Sequence, residues 1–387
     1  MHKRTFLSAL AGALALGAGL APAGAQERVK LVNVSELSGP GATAGTNWRN
    51  GIDLAVSEIN AKGGILGRMI EIVHYDSQTN PGVSRALVQR AVDENAYAIL
   101  GPVFSGPISA SMQIAQRAKV AQLVGGEAAA LTKQNNPYIF RTSLSQADAM
   151  PKLANYLRDT VKARSVAVVW VNNDFGKGGR DAMLQELQRR DIKVAADIST
   201  EQGQADFAAD ALKVRNANPD AVFVYLNEEE SARFLRAARQ QGIDKPLIGE
   251  TTLLGQKVIE LAGDAANGVR GHVGLSIDAP VPAFQEFGRR FQARHNALPD
   301  HNGLKGYIAV FAIKAVTERT GRFDREALAG GLRGARISPA QEPGILIDTV
   351  WTQTGDIDRE SFLGEVREGR QVITATLPFI NPPPPAK

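Results

Sequence analysis

The sequence predicts an α/β protein of two similar, Rossmann-like, doubly wound lobes, each a mostly parallel sheet covered by helices on both faces. Three observations predict it. From Arg28 onward short apolar, β-branched runs alternate with stretches of helical period; the pattern restarts at Val166; and helices return near Phe284 before any new run of strands. Alternation of this kind means βαβ units and parallel strands. The late helices need a sheet to cover, so the chain crosses back near His272 to Ala279 and the lobes are interleaved.

In order, Val29 to Val34 reads as a strand. Ile52, Ala55, Val56 and Ile59 mark one face of a helix over 51–60, and Met69 to Tyr75 returns to strand. Ala98-Ile99-Leu100 is a strand before a helix at 108–118, and Val120 to Val124 is the next strand. After Tyr138-Ile139-Phe140 come a helix at 148–159, the strand Val166 to Trp170 and a helix around 182–190. Strands at Ala221 to Tyr225 and Leu247-Ile248 flank a helix at 232–240. Helices at 284–294 and 304–316 follow, the second with Leu304, Tyr307, Ile308, Phe311 and Ala315 as one stripe. Segments 344–352 and 362–374 read as closing strands, with Gly355-Asp356 as a turn.

The first residues read as an address. His2, Lys3 and Arg4 precede an apolar stretch from Phe6 to Leu20 that runs into Ala23-Gly24-Ala25, the pattern of a secretory signal cut after Ala25. The apolar run is shorter than the ~20 residues of a spanning helix. The 387-residue chain has 44 basic and 40 acidic residues, interspersed, a balance that does not point to nucleic acid. Cysteine is absent, which excludes disulfides, thiolate nucleophiles and a lipid-carrying Cys. Hydrophobic burial must therefore carry stability.

No H-E-x-x-H, G-x-S-x-G or complete phosphate loop occurs, and Phe175 to Gly179 resembles a phosphate loop in composition only. The histidines show no metal-ligand spacing. No catalytic residue, metal or cofactor is predicted, and the protein is expected not to be an enzyme. The informative residues lie where strands end, because open parallel sheets bind ligands there. Ser38 to Gly45 follows the first strand, and Gly101-Pro102-Val103-Phe104-Ser105 follows the third. Two roles fit Ser105: holding a carboxylate at a helix start, or capping its own helix. Glu127, after Gly125-Gly126, and Glu250, after Gly249, suit either a cation or solvent. Glu228-Glu229-Glu230 suits an acidic first turn. Phe175, after Asn172-Asn173-Asp174, is placed to close over a ligand, whereas Trp48 and Phe207 read as packing residues.

At these residues the chain resembles the type I periplasmic binding proteins of the leucine/isoleucine/valine-binding family, which serve ABC importers. The resemblance rests on Ser38-Gly39-Pro40, Asn50-Gly51 with Glu58-Ile59-Asn60, Gly63 to Arg68, Gly101-Pro102 with Ser105, and Tyr138 to Thr142. Phe175 to Gly178, Asn218-Pro219-Asp220 and Leu261 to Ala265 with Gly268-Val269 complete it. It implies two lobes joined by three crossovers that close around a ligand. It also implies Ser105 on the ligand carboxylate, Glu250 on its ammonium and a backbone contact at Gly126. Ala44 and Phe175 stand where aromatic or tyrosine contacts are common, Asn227 or Glu228 near another tyrosine, and Glu127 where a small hydroxyl residue is usual. An acid there repels an α-carboxylate unless it is protonated, turned away or paired with a cationic or donor-rich ligand.

The predicted ligand-binding set is thus Ala44, Phe104, Ser105, Gly126, Glu127, Phe175, Asn227, Glu228 and Glu250. The expected lobes are 26–143 with 277–345 and 144–276 with 346–380, after a signal at 1–25 and before a tail at 381–387. The expected function is capture of a small amino acid or related polar solute in the periplasm for an ABC permease, by a monomer. An aromatic acid, an amide, a basic amino acid or a sensor role are the alternatives.

Overall fold

The computed structural model describes residues 27–381. The expected signal with its cleavage after Ala25, and the proline-rich end from Pro382, lie outside the described residues. Five parallel strands form the first sheet: β1 (Arg28–Ser35), β2 (Met69–Asp76), β3 (Ala98–Leu100), β4 (Ala121–Val124) and β5 (Ile139–Arg141), in the order β2-β1-β3-β4-β5. Between them run α1 (Ala42–Ala61), α2 (Pro81–Asp93) and α3 (Ser105–Arg117). β3 and β4 are buried throughout, as central parallel strands covered on both faces must be.

The chain then crosses to the second sheet. There α4 (Gln146–Tyr156), β6 (Ser165–Val171), α5 (Asp174–Gln188), β7 (Lys193–Thr200), α6 (Ala208–Ala217), β8 (Ala221–Tyr225), α7 (Glu228–Gln240), β9 (Leu247–Gly249), α8 (Gln256–Ala262) and β10 (Arg270–Val273) repeat the alternation. After β10 the chain returns as α9 (Pro282–His295), α10 (His301–Thr320) and α11 (Arg325–Leu332), and α10 packs along α1. A small antiparallel sheet of β11 (Arg336–Ile337), β12 (Thr349–Trp351) and β13 (Ile357–Asp358) precedes the third crossing. The hairpin β14 (Ser361–Arg367) and β15 (Arg370–Leu377) then joins β10 antiparallel, giving β15-β14-β10-β9-β8-β6-β7. Two doubly wound lobes with three crossovers is therefore the architecture.

Four details differ from the sequence reading. Helix α1 begins at Ala42, so much of the expected loop is helix. Gly45 is required inside it, since a Cβ there would collide with the Glu36 backbone. Helix α10 is buried on nearly every side of its first thirteen residues rather than along one stripe, because it is wedged between α1 and other first-lobe elements. Segment 344–352 is mostly irregular, and its short strand β12 pairs with β11 and β13 instead of a large sheet. Finally, α2 and β7 carry too few buried apolar positions to announce themselves; β7 is an edge strand exposing Lys193, Val194 and Asp197.

Close backbone approach fixes α10 on α1. A Cβ on Gly51 would strike the Gly303 carbonyl oxygen, and one on Gly306 would strike that of Trp48. Glycine at these points lets the helices touch backbone to backbone, which places the N-terminal turn of α10 at the mouth between the lobes.

Candidate functional site

The site forms where the carboxyl ends of strands from both lobes face each other. In the first lobe, the segment after β3 is held by Glu36, whose buried carboxylate accepts the N–H groups of Val103 (3.1 Å) and Phe104 (3.0 Å). Burial drives the Glu36 pKa up to about 7 against the lowering effect of these bonds. Ser105 is the first residue of α3 rather than its cap, so the helix keeps its N-terminal N–H groups and partial positive charge for the cleft. Its Oγ accepts from Ala128 N–H at 3.2 Å, which leaves its own proton free to donate.

The facing segment after β4 is positioned by Arg141, a fully buried side chain at the first crossover. Its guanidinium donates to the carbonyls of Gly126 and Ala128, each at 2.6 Å, and pairs with Asp356 of the third crossover at 3.0 Å. Gly126 has no room for a side chain, since a Cβ would collide with Ile108. Glu127 turns into the cleft wall, where Lys305 Nζ from α10 donates to its Oε1 at 2.7 Å. Burial, opposed by Lys305 and reinforced by Glu250, raises the Glu127 pKa to about 7.

Glu250 is the member of the predicted set that does not line the cleft. Its Oε1 accepts from Thr251 Oγ1 (2.7 Å) and meets His272 Nδ1 (2.8 Å), and its carboxyl stands behind Glu127, near enough to act on it. Burial raises its pKa too, and burial lowers that of His272 to about 3, so the imidazole is neutral. Burial favours the protonated form of both carboxyls, Glu250 adds to this at Glu127, and Lys305 opposes it. Burial and the Lys305 pair thus weaken the negative charge of the acid that would repel a carboxylate.

From the second lobe come Phe175, stacked on Tyr225 at 4.2 Å, and Asn227 with Glu228 at the start of α7. Gln146 Nε2 donates to the Phe175 carbonyl (2.8 Å) and to Tyr225 Oη (3.0 Å), fixing this wall. Gly179 is needed there because any side chain would enter the Tyr225 ring, so the glycines of Phe175 to Gly179 serve packing. Across the cleft Thr43 Oγ1 donates to Glu229 Oε1 at 2.6 Å, joining α1 to α7.

Together these walls enclose about 340 Å³, open solvent at the mouth included. They are lined by eight of the nine predicted residues (Ala44, Phe104, Ser105, Gly126, Glu127, Phe175, Asn227 and Glu228) and by Val103, Gly125, Thr252, His301, Asn302 and Lys305. The mixture of apolar walls with a few aimed polar groups suits a small solute. Among the described residues no cluster of side chains suited to a metal ion exists, and no helix is long and apolar enough to cross a membrane. The sequence reading missed Lys305, His301, Asn302, Arg141 and Glu36. A lysine inside the apolar run Leu304 to Ile308 was the signal available for Lys305.

A cleft between two doubly wound lobes, with helix starts and strand-end loops converging on it, defines a two-lobed solute-binding protein. The chain belongs to the periplasmic binding protein family, whose model matches residues 28–371. It is 27% identical to the Leu/Ile/Val-binding protein of Escherichia coli over 244 residues, 63% of this chain and 66% of that relative's length. Among solved structures it is similar to the branched-chain amino acid binding protein LivJ of Streptococcus pneumoniae in complex with isoleucine (TM-score 0.82, 22% identity, covering 92% of this chain and 100% of that one). It is also similar to an ABC-transporter solute-binding protein of Rhodopseudomonas palustris in complex with 3,4-dihydroxybenzoic acid (TM-score 0.84, 20% identity, 92% and 99%).

Proposed function

We propose that this protein captures a small amino acid or related carboxylate solute in the periplasm and delivers it, as a monomer, to an ABC permease. The carrying observation is that Ser105, Gly126 and Glu127 from one lobe face Phe175, Asn227 and Glu228 from the other across one cavity. The solute's carboxylate is held by the Ser105 hydroxyl and the N-terminus of α3, and its body by Val103, Phe104, Ala44 and Phe175. Micromolar capture needs only about 8 kcal/mol, within reach of two or three charge-assisted hydrogen bonds and one buried apolar group, so binding requires no chemistry. The moving bodies are 26–143 with 277–345 and 144–276 with 346–380, and closure presents one shape to the permease. The names of the relatives favour a branched-chain amino acid.

The test is a thermal-shift screen of amino acids followed by calorimetry, since a ligand that binds only the native state raises stability. Ser105→Ala should weaken the best solute at least tenfold. A second reading, an aromatic carboxylate, is favoured by Phe104 and Phe175 lining the cavity. Benzoate and 4-hydroxybenzoate in the same screen decide between the two.

A further inference from the structure

Where the start of α7 faces the start of α10, the cleft holds buried polar groups that lack partners. Glu228 is 5% exposed and lines the cavity, and the one donor its carboxyl meets is its own backbone N–H. Asn302 Oδ1, which lines the same cavity, is buried without a donor, Glu229 Oε2 likewise, and His301 Nδ1 is buried without a partner. The donors that would satisfy these groups are committed elsewhere. Asp300 takes the N–H groups of Asn302 and Gly303, and Asn227 Nδ2 donates to Glu230. Lys305, the cation of the cleft, is one turn further along α10 on Glu127. Buried acceptors left without donors are costly, and a buried carboxylate without a cation more so. A place in the first turn of α7 favours an acid at position 228, but an exposed glutamate would gain that as well. Burial inside a ligand-sized cavity is what remains unexplained.

The glutamates at the two poles of the cleft have different charged neighbours, although Lys305 also reaches Asp300 and His301. The charges acting most strongly on Glu127 are Lys305 and Glu250, whereas those on Glu228 are Glu229 and Asp300, both of which add to burial in raising its pKa. His301 and Asn302 precede Lys305 on α10 by four and three residues, so the poles are offset by about one helical turn, ~5 Å. An α-ammonium sits next to its own carboxylate and cannot serve the far pole while that carboxylate is on Ser105.

We propose that Glu228, with Asn302 and His301, forms a cation subsite that makes this protein selective for a solute carrying a cationic nitrogen group remote from its carboxylate, as a basic amino acid does. This rests on the carboxylate placement proposed above. Such a solute spans the cleft from the helix start of α3 to that of α7 and brings N–H donors for Asn302 and His301 of the first lobe and a positive charge for Glu228 of the second. It therefore couples closure to recognition, since the cation subsite is complete only when Glu228 of the second lobe meets Asn302 and His301 of the first.

The experiment compares L-lysine with L-norleucine, which differ in the terminal ammonium, by calorimetric titration of the full mature protein. The wild type should bind lysine at least tenfold more tightly than norleucine. Glu228→Gln should lower that preference at least tenfold, and Glu228→Asp, which keeps the charge on a shorter stem, should lower it less. Ser105→Ala should weaken lysine binding while keeping the preference. Equal or tighter binding of norleucine by the wild type, or an unchanged preference in Glu228→Gln shown to be folded by circular dichroism, would overturn the subsite while leaving the carboxylate placement standing. A preference kept together with undiminished affinity in Ser105→Ala would remove the carboxylate placement and with it the cleft-spanning pose. If neither solute binds the wild type, the cation subsite is overturned for basic amino acids.

Discussion

Lys305 Nζ and Glu127 Oε1 meet at 2.7 Å inside the cleft, with side chains 4% and 10% exposed, one from α10 and one from the loop after β4. Neither residue is tolerable there alone. A buried ion pair adds little net stability, but removing one partner leaves an uncompensated charge. Lys305→Met should therefore cost about 3–5 kcal/mol at pH 8, where Glu127 must either stay charged without a partner or hold a proton that the unfolded chain releases, and less at pH 5, where it takes up a proton readily. Urea unfolding at the two pH values measures both, and Glu127→Gln in the same background should restore part of the loss.

Glu36 gives a pH dependence of defined sign. Its pKa in the native state is about 7, above the ordinary carboxyl value of 4.5, so the folded protein holds a proton that the unfolded chain releases. The stabilisation is complete below pH 4.5 and is lost as pH rises to 7, by at most about 3 kcal/mol. The stability difference between wild type and Glu36→Gln should shrink or reverse over that window. A pH-independent difference in urea midpoints would show that the carboxyl ionises normally.

The bond from Thr43 Oγ1 to Glu229 Oε1 holds α1 to α7 across the mouth of the cleft. One such bond contributes about 1–2 kcal/mol to closure. Thr43→Val should speed solute release roughly five- to tenfold in stopped-flow displacement, with a smaller effect on the association rate.

Where α10 crosses α1, Gly306→Ala would drive a methyl group into the Trp48 carbonyl. Overpacking of this kind costs about 1–3 kcal/mol. Chemical denaturation should show that loss, and because α10 carries Lys305, His301 and Asn302, solute affinity should fall with it.

The fold was legible because central parallel strands are continuous apolar runs, and Val166 to Val169 and Ala221 to Val224 cannot be anything else in alternation with amphipathic helices. The site was legible only as far as the strand-end rule reaches. It placed Ser105, Gly126, Phe175 and Glu228 in loops that converge, but loop position does not say where a side chain turns. Glu250 leaves its strand end toward His272 and stands behind Glu127, a direction set by a contact 22 residues away in sequence. Lys305 and Arg141 act on residues 178 and 15 positions distant and belong to elements whose sequence reads as packing, so their partners became visible only when the lobes were assembled.

The most direct measurement is a crystal structure with the solute that stabilises the protein most in the thermal screen. Density between Phe104 and Phe175, with a carboxylate within hydrogen-bond distance of Ser105 Oγ and both lobes in contact, is the expected result. A solute bound outside this cleft, or held by one lobe with Ser105 still facing solvent, would contradict it.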